Sequence, residues 1–163
     1  MISAQRLREV LNYDPESGNF RWALGWPGVS KGKIAGAIGG RREYRQIMID
    51  RRAYLAHRLA WLYMTNEWPL CNIDHKDGDK TNNKWANLRL ASVSQNAANK
   101  KRPATNTSGF KGVYWAPKSQ KWAAQIEVNG HSIYLGLFAT REGAHAIYCK
   151  AATEYFGGFA RHG

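Results

Sequence analysis

Asp74, His75, Asn87 and Asn96 are the residues of this chain whose types could hydrolyse a phosphodiester. Such a reaction needs a water made nucleophilic, a cation on the phosphate and stabilisation of the leaving oxygen. A neutral imidazole can take the water's proton near physiological pH. Asp and Asn side chains offer hard oxygen donors, which suit Mg²⁺ better than Zn²⁺. Asp74 and His75 are neighbours, and neighbours on a regular strand point to opposite faces. They can serve one site only where the strand ends or distorts, and Lys76-Asp77-Gly78 supplies a turn there.

The elements around these residues read as strand, loop, strand, helix. Ile73-Asp74-His75 is a short strand, Lys76 to Ala86 a polar loop, and Leu88 to Ala91 a second strand. Ser92-Val93-Ser94-Gln95 has the spacing of a capping box, so a helix is predicted over about 93–100 with Asn96 in its first turns. Upstream, Ser3 can cap a helix over 3–11 whose Leu7, Val10 and Leu11 share a face. A turn at Asp14-Pro15-Glu16-Ser17-Gly18 leads to a strand at Phe20-Arg21-Trp22. After Gly-rich stretches at 25–40, Tyr44 to Asp50 alternates like a half-buried strand, and Arg51-Arg52 turns into another. His57 to Tyr63 reads as a buried helix ended by Trp68-Pro69.

Residues 101–107 form a basic, polar linker without apolar periodicity, and the domain boundary is placed there. Three strands follow at about 112–116, 121–128 and 131–138. Asn129-Gly130 between the last two is the strongest hairpin signal in the chain. Thr140 caps a helix over about 141–156 with Ala144, Ile147, Tyr148, Ala151 and Tyr155 as its apolar stripe, and Gly157-Gly158 stops it. No internal repeat is visible.

The chain has 163 residues, 44% of them apolar, with 7 Trp and 8 Tyr, so a folded core is expected. Its net charge of +12 points to a polyanionic partner such as nucleic acid. The charge is unevenly spread: residues 1–56 carry 10 basic and 5 acidic residues, 57–100 carry 6 and 4, and 101–163 carry 8 and 3. The middle is the least basic segment and holds the Asp cluster, and an acidic pocket flanked by basic arms suits a site that holds a cation while the arms hold phosphates. Cys71 and Cys149 form no CxxC pair, which excludes a zinc ribbon and leaves two reduced thiols. No apolar run is long enough to span a membrane. The N-terminus lacks an apolar signal core, so the protein is expected to stay in the cytoplasm of the cell that makes it.

The segments Ala56-His57-Arg58-Leu59-Ala60-Trp61, Trp68-Pro69, Ile73 to Asp79, Asn82-Asn83, Asn87-Leu88-Arg89 and Ser94-Gln95-Asn96 with Asn99 together resemble the HNH endonucleases. They are most similar to the phage and intron-encoded homing branch. The resemblance covers about 40–100 and implies a ββα-metal fold, one divalent cation per active site (Mg²⁺ or Mn²⁺) and cleavage of double-stranded DNA. It implies His75 as general base, Asn87 as the central Asn that braces the loop and orients that base, and Asp74 and Asn96 as metal ligands, the HNN variant. His57 is left out of the catalytic set as a structural hydrogen-bonder. Asp77 and Asp79 are read as a solvated turn, and Asn82 and Asn83 as shaping the loop. Arg89 is open between a phosphate contact and an ion pair with an acid.

Ser108 to Trp115, Lys121 to Ile126, Tyr134 to Phe138 and the helix with Glu142, Ala144, Tyr148 and Ala151 resemble an AP2 domain over about 108–159. That family lays one sheet face in the major groove. Matching positions are Lys111, Tyr114, Gln125, Glu127, Ser132 and Tyr134, with Lys118 and Lys121 nearby, while Trp122 packs. Arg41, Arg42, Arg45, Arg51 and Arg52 cluster around the N-terminal strands as further DNA-contact candidates. The expected fold is α+β: an N-terminal β-rich region leading into the nuclease core (1–100), the linker (101–107), and a small three-stranded sheet with one helix (108–163). The expected function is a metal-dependent, monomeric DNA endonuclease that nicks one strand per monomer, phage-borne and acting in the bacterial host's cytoplasm. A DNA-binding regulator with an inactive nuclease site is the alternative.

Overall fold

The computed structural model of the chain describes residues 1–25, 27–39 and 43–163. Arg41 and Arg42, two of the expected DNA contacts, lie outside the described residues. The chain forms two compact units, Met1–Leu90 and Ala91–Gly163. The division falls before the linker expected at 101–107. Both units mix helices with antiparallel sheet, the α+β class that the sequence predicts.

In the first unit, helix α1 (Ala4–Val10) starts where the Ser3 hydroxyl accepts the Arg6 N–H. It is shorter than expected, because Leu11 already belongs to strand β1 (Leu11–Asp14). Strand β1 pairs antiparallel with β2 (Asn19–Trp22), and its alternating burial puts Leu11 and Tyr13 inside. The Asp14–Gly18 turn signal therefore closes a hairpin. A second sheet has the order β3 (Ala37–Ile38), β4 (Arg45–Ile49), β5 (Arg52–Leu55). Asp50 and Arg51 join β4 to β5 with φ of 47° and 62°, the left-handed pair that matches strand twist in a two-residue hairpin. Helix α2 (Ala56–Thr65) buries Leu59, Ala60 and Leu62 and ends on Asn66 at φ 64°. Strands β6 (Asn72–His75) and β7 (Leu88–Ala91) form a two-stranded sheet. One core joins α1, the β1–β2 hairpin, β4, α2, Ile73 and Leu88.

In the second unit, helix α3 (Val93–Ala98) carries the predicted capping box: the Gln95 N–H bonds the Ser92 hydroxyl, and the Gln95 side chain accepts the Ser92 N–H. It stops at Ala98, two residues before the expected end. Strands β8 (Val113–Ala116), β9 (Lys121–Val128) and β10 (His131–Phe138) form an antiparallel sheet in the order β10-β9-β8. Asn129 and Gly130, with φ of 52° and 81°, make the β9–β10 hairpin.

Helix α4 (Arg141–Phe156) packs on that sheet. Its buried stripe is Ala144, Tyr148, Ala151, Ala152 and Phe156, while Ile147 and Tyr155 are exposed. The stripe is thus turned slightly around the axis from the expected one. Its 144–148–152–156 row follows four-residue steps, and small alanines let the helix approach the strands. At Gly112 (φ 72°) a Cβ would lie 2.1 Å from the Tyr148 ring, so only glycine admits this helix. Ala98 of α3 joins the cluster of Ile126, Tyr148, Ala151, Ala152 and Phe156, and the Asn129 N–H bonds the Ser94 hydroxyl at 2.9 Å. Cys71 and Cys149 are free thiols, and no described helix is long and apolar enough to cross a membrane.

Candidate active site

Strand β6 ends at His75, and the chain turns at once: the Gly78 N–H bonds the His75 carbonyl at 2.8 Å, and the Lys76 N–H bonds the Asn87 carbonyl at 2.9 Å. Asp74 and His75 are both about 4% exposed, so both neighbours are held inside at the strand's end.

The polar loop between β6 and β7 is ordered by its own side chains. Asp77 accepts bonds from the Asp79 N–H (2.8 Å), the Asn82 amide (2.6 Å) and the Asn87 amide (3.0 Å). Burial opposes its ionisation, but these donors outweigh burial and hold its pKa below the ordinary value. Asp79 accepts from the Thr81 N–H and hydroxyl, which lower its pKa as well. Asn87 closes the network: its amide also donates to the Asn82 carbonyl at 2.8 Å, and its oxygen accepts the Asp77 N–H at 3.1 Å. The side-chain bonds of Asn87 thus run to Asp77 and Asn82, within the loop.

The His75 ring meets a different asparagine. Its Nε2 stands 3.1 Å from Oδ1 of Asn83, a residue 2% exposed. His57 packs edge-on against His75 with ring centres 5.2 Å apart, and Tyr44 lies 6.0 Å away. Burial, with His75 and Arg58 close by, pushes the His57 imidazole down to about 3, so it is neutral at physiological pH. Asn83 and His57 are the site residues that sequence reasoning set aside. The only sequence signal for Asn83 was its place in the Asn82-Asn83 pair, which marks a loop without telling which amide turns inward.

Asp74 is paired. Arg89 reaches its Oδ2 through Nε and Nη2, each at 2.8 Å. Arg89 thus forms an ion pair with an acid, one of the two roles open to it. Asn96 stands on α3, in the second unit, with its N–H on the Ser92 carbonyl. The Asp74 carboxylate and the Asn96 amide are hard oxygen donors. Among the described residues no three His, Cys, Asp or Glu side chains converge on one point. The oxygen chemistry of Asp74 fits a hard divalent ion better than it fits Zn²⁺.

Of the expected DNA contacts in the first unit, Arg45 donates to the Gly36 carbonyl at 3.0 Å, while Arg51 and Arg52 are exposed at the β4–β5 turn. In the second unit, Tyr114, Gln125 and Tyr134 are exposed on one face of the sheet, with Gln125 directly opposite Tyr134. Lys118 and Lys121 are exposed beside them. Lys111 turns inward. Its ammonium donates to the carbonyls of Ala98 and Lys100 at the end of α3, and burial lowers its pKa to about 8. The unsatisfied carbonyls of a helix C-terminus explain this preference, since a cation there completes their hydrogen bonding.

Residues 54–98 match the HNH endonuclease family and residues 108–158 the AP2 domain family. "Protein 3.8" of Escherichia phage T7 is 41% identical over 58 residues, 36% of this chain and 48% of that protein. "Uncharacterized HNH endonuclease L560" of Acanthamoeba polyphaga mimivirus is 38% identical over 88 residues, 54% of this chain and 44% of that protein. The chain therefore matches less than half the length of each of these relatives. The solved structure titled "DNA binding and cleavage by the HNH homing endonuclease I-HmuI" aligns with 87% of this chain and 76% of its own, with 18% identity and a TM-score of 0.43.

Proposed function

We propose that this chain, which joins an HNH endonuclease domain to an AP2 domain, is a metal-dependent DNA endonuclease. The observation that carries the reading is a buried imidazole, His75, held beside a buried carboxylate, Asp74, within the segment that matches the HNH family. His75 is the general base: it accepts a proton from the attacking water. Asp74 and Asn96 would hold one Mg²⁺ or Mn²⁺ per site, which when bound supplies Lewis-acid stabilisation of the scissile phosphate. Neutral His57 packs against His75 without adding charge. Arg89 balances the Asp74 carboxylate. The exposed arginines at the β4–β5 turn and the exposed face of the AP2 sheet contact double-stranded DNA, with the net charge of +12 steering the encounter.

The protein acts as a monomer, and where phage-borne it works in the cytoplasm of the bacterial host. One site on a duplex of antiparallel strands nicks one strand per binding event. Incubating the protein with supercoiled plasmid in Mg²⁺ or in EDTA tests this. Open circles should precede linear DNA, EDTA should stop cutting, and His75→Ala should slow it by about 10²- to 10⁴-fold with DNA affinity retained. Linear product appearing first at low enzyme would argue for a dimer. Tight binding without cutting in any divalent metal would favour a regulator with an inactive site.

A further inference from the structure

Helix α3 belongs to one domain by sequence and to the other by packing. It closes the HNH match, which ends at residue 98. Yet it lies in the second unit, Ala91–Gly163, together with the AP2 match. A helix of six residues does not persist alone. What fastens α3 therefore decides whether its side chains have a fixed place.

The fastenings come from the AP2 fold. The Ser94 hydroxyl accepts the Asn129 N–H of the β9–β10 hairpin at 2.9 Å. Ala98, 8% exposed, packs with Ile126, Tyr148, Ala151, Ala152 and Phe156. The Lys111 ammonium donates to the Ala98 carbonyl and, at 2.8 Å, to the Lys100 carbonyl. Carbonyls at a helix C-terminus lack partners within the helix, and a cation there is also favoured by the helix dipole. Ser94 and Ala98 are four residues apart and share one face of α3. Asn96, two residues from each, falls on the opposite side. The AP2 fold grips one side of the helix and leaves Asn96 on the other.

We infer that Lys111 is a positioning residue of the nuclease. With Asn129 and the Ala98 cluster it holds α3 on the AP2 domain, which is thereby the mount that presents Asn96. The Lys111 ammonium serves the helix end instead of a DNA phosphate. The anchoring of α3 stands by itself; its value for metal binding rests on the nuclease reading above.

The test is hydrogen–deuterium exchange on the full chain, read peptide by peptide, beside a Mn²⁺ titration followed by the EPR signal of the free ion. In Lys111→Met, amides of residues 93–100 should exchange about tenfold faster or more, the scale of one lost charge-assisted hydrogen bond, while β9 and β10 keep wild-type rates. Mn²⁺ affinity should fall by about tenfold, as when an outer-shell partner of a metal is removed. Gel-shift affinity for DNA should not change. Ser94→Ala removes the other bond while raising helix propensity, so faster exchange there reports the lost anchor, and it serves if Lys111→Met does not fold. Wild-type exchange of α3 in a folded Lys111→Met overturns the role of Lys111, and wild-type exchange in both variants overturns the anchoring. Lost DNA affinity without a loosened α3 would make Lys111 a phosphate contact instead. Asn96→Ala separates the two readings. If it weakens Mn²⁺ binding and a loosened Lys111→Met does not, the positioning role is overturned. If Asn96→Ala leaves Mn²⁺ binding unchanged, the ligand reading fails, and the anchoring of α3 is decided by exchange alone.

Discussion

Asp74 sits 4% exposed with its charge answered by Arg89, so the proposed metal site begins from a compensated carboxylate instead of a bare one. Removing one partner of such a pair leaves the other buried and unanswered, which is more costly than the pair is worth. The informative substitution at Asp74 therefore keeps an oxygen. Asp74→Asn and Asn96→Ala should each raise the Mg²⁺ concentration needed for nicking by roughly tenfold or more, the scale on which even outer-shell partners of a metal act. Unchanged Mg²⁺ titrations in both would dismiss the ligand pair. His57 makes a separate prediction. Its folded pKa of about 3 lies below the ordinary 6.5, so the unfolded chain takes up this proton first. Its contribution to stability is complete above pH 6.5 and drains away as pH falls toward 3. His57→Gln should be flatter than the wild type across that window in urea midpoints measured at a series of pH values. Parallel curves would mean that His57 is not the group responsible.

The elements around the site fall into those that carry side chains to it and those that fasten the carriers. Strands β6 and β7 do the first. The β1–β2 hairpin does the second, and it depends on a residue without a side chain. At Gly18, alanine would meet both a left-handed backbone and the Asn83 carbonyl carbon at 2.4 Å. Each is destabilising, and together they should lower stability by about 1–3 kcal/mol. If the β1–β2 hairpin holds the loop, Gly18→Ala should also slow nicking at temperatures well below its melting point. A variant that loses stability but cuts at the wild-type rate would confine the hairpin to a scaffolding role. Helix α3 is an element of a different kind. Six residues are too few to persist alone, and its Ser92 cap, Ala98 packing and Lys111 bonds all lie within the second unit.

At the scale of the whole molecule, the second unit therefore does more than add charge. It supports the helix that bears Asn96. Removing residues 106–163 would strip Ala98 of its packing partners, so truncation would confuse DNA anchoring with the integrity of α3. A surface substitution separates them. Tyr134 is 58% exposed, so Tyr134→Ala should change stability by no more than about 0.5 kcal/mol. If the sheet face lies on DNA, it should weaken binding in gel shifts and make nicking fail at lower salt than in the wild type. Equal binding across a salt series would remove that face from the DNA interface.

The sequence by itself determined the parts of this protein that local chemistry dictates. Ser92 and Gln95 specify a capping box because both partners lie within one helical turn. Asn129-Gly130 specifies a hairpin because few residues accept two left-handed positions. The Ile73–Asp79 and Asn87–Arg89 segments carry the resemblance to the HNH endonucleases, and a resemblance is read from residue types along the chain. What only the tertiary structure decided are choices among partners distant in the chain. Asn82 and Asn83 are chemically identical, and which of them faces His75 follows from the turn at Asp77–Thr81 and from Tyr13, 70 residues from Asn83. Lys111 resembled a phosphate contact, but the carbonyls left open at the end of α3 draw it inward. The buried stripe of α4 runs through Ala152 and Phe156 instead of Tyr155, because the apolar cluster of Ala98, Ile126 and Tyr148 forms around them. Period and capping are properties of neighbouring residues. The direction in which a polar side chain finally turns depends on which unsatisfied group the rest of the fold brings within hydrogen-bond reach.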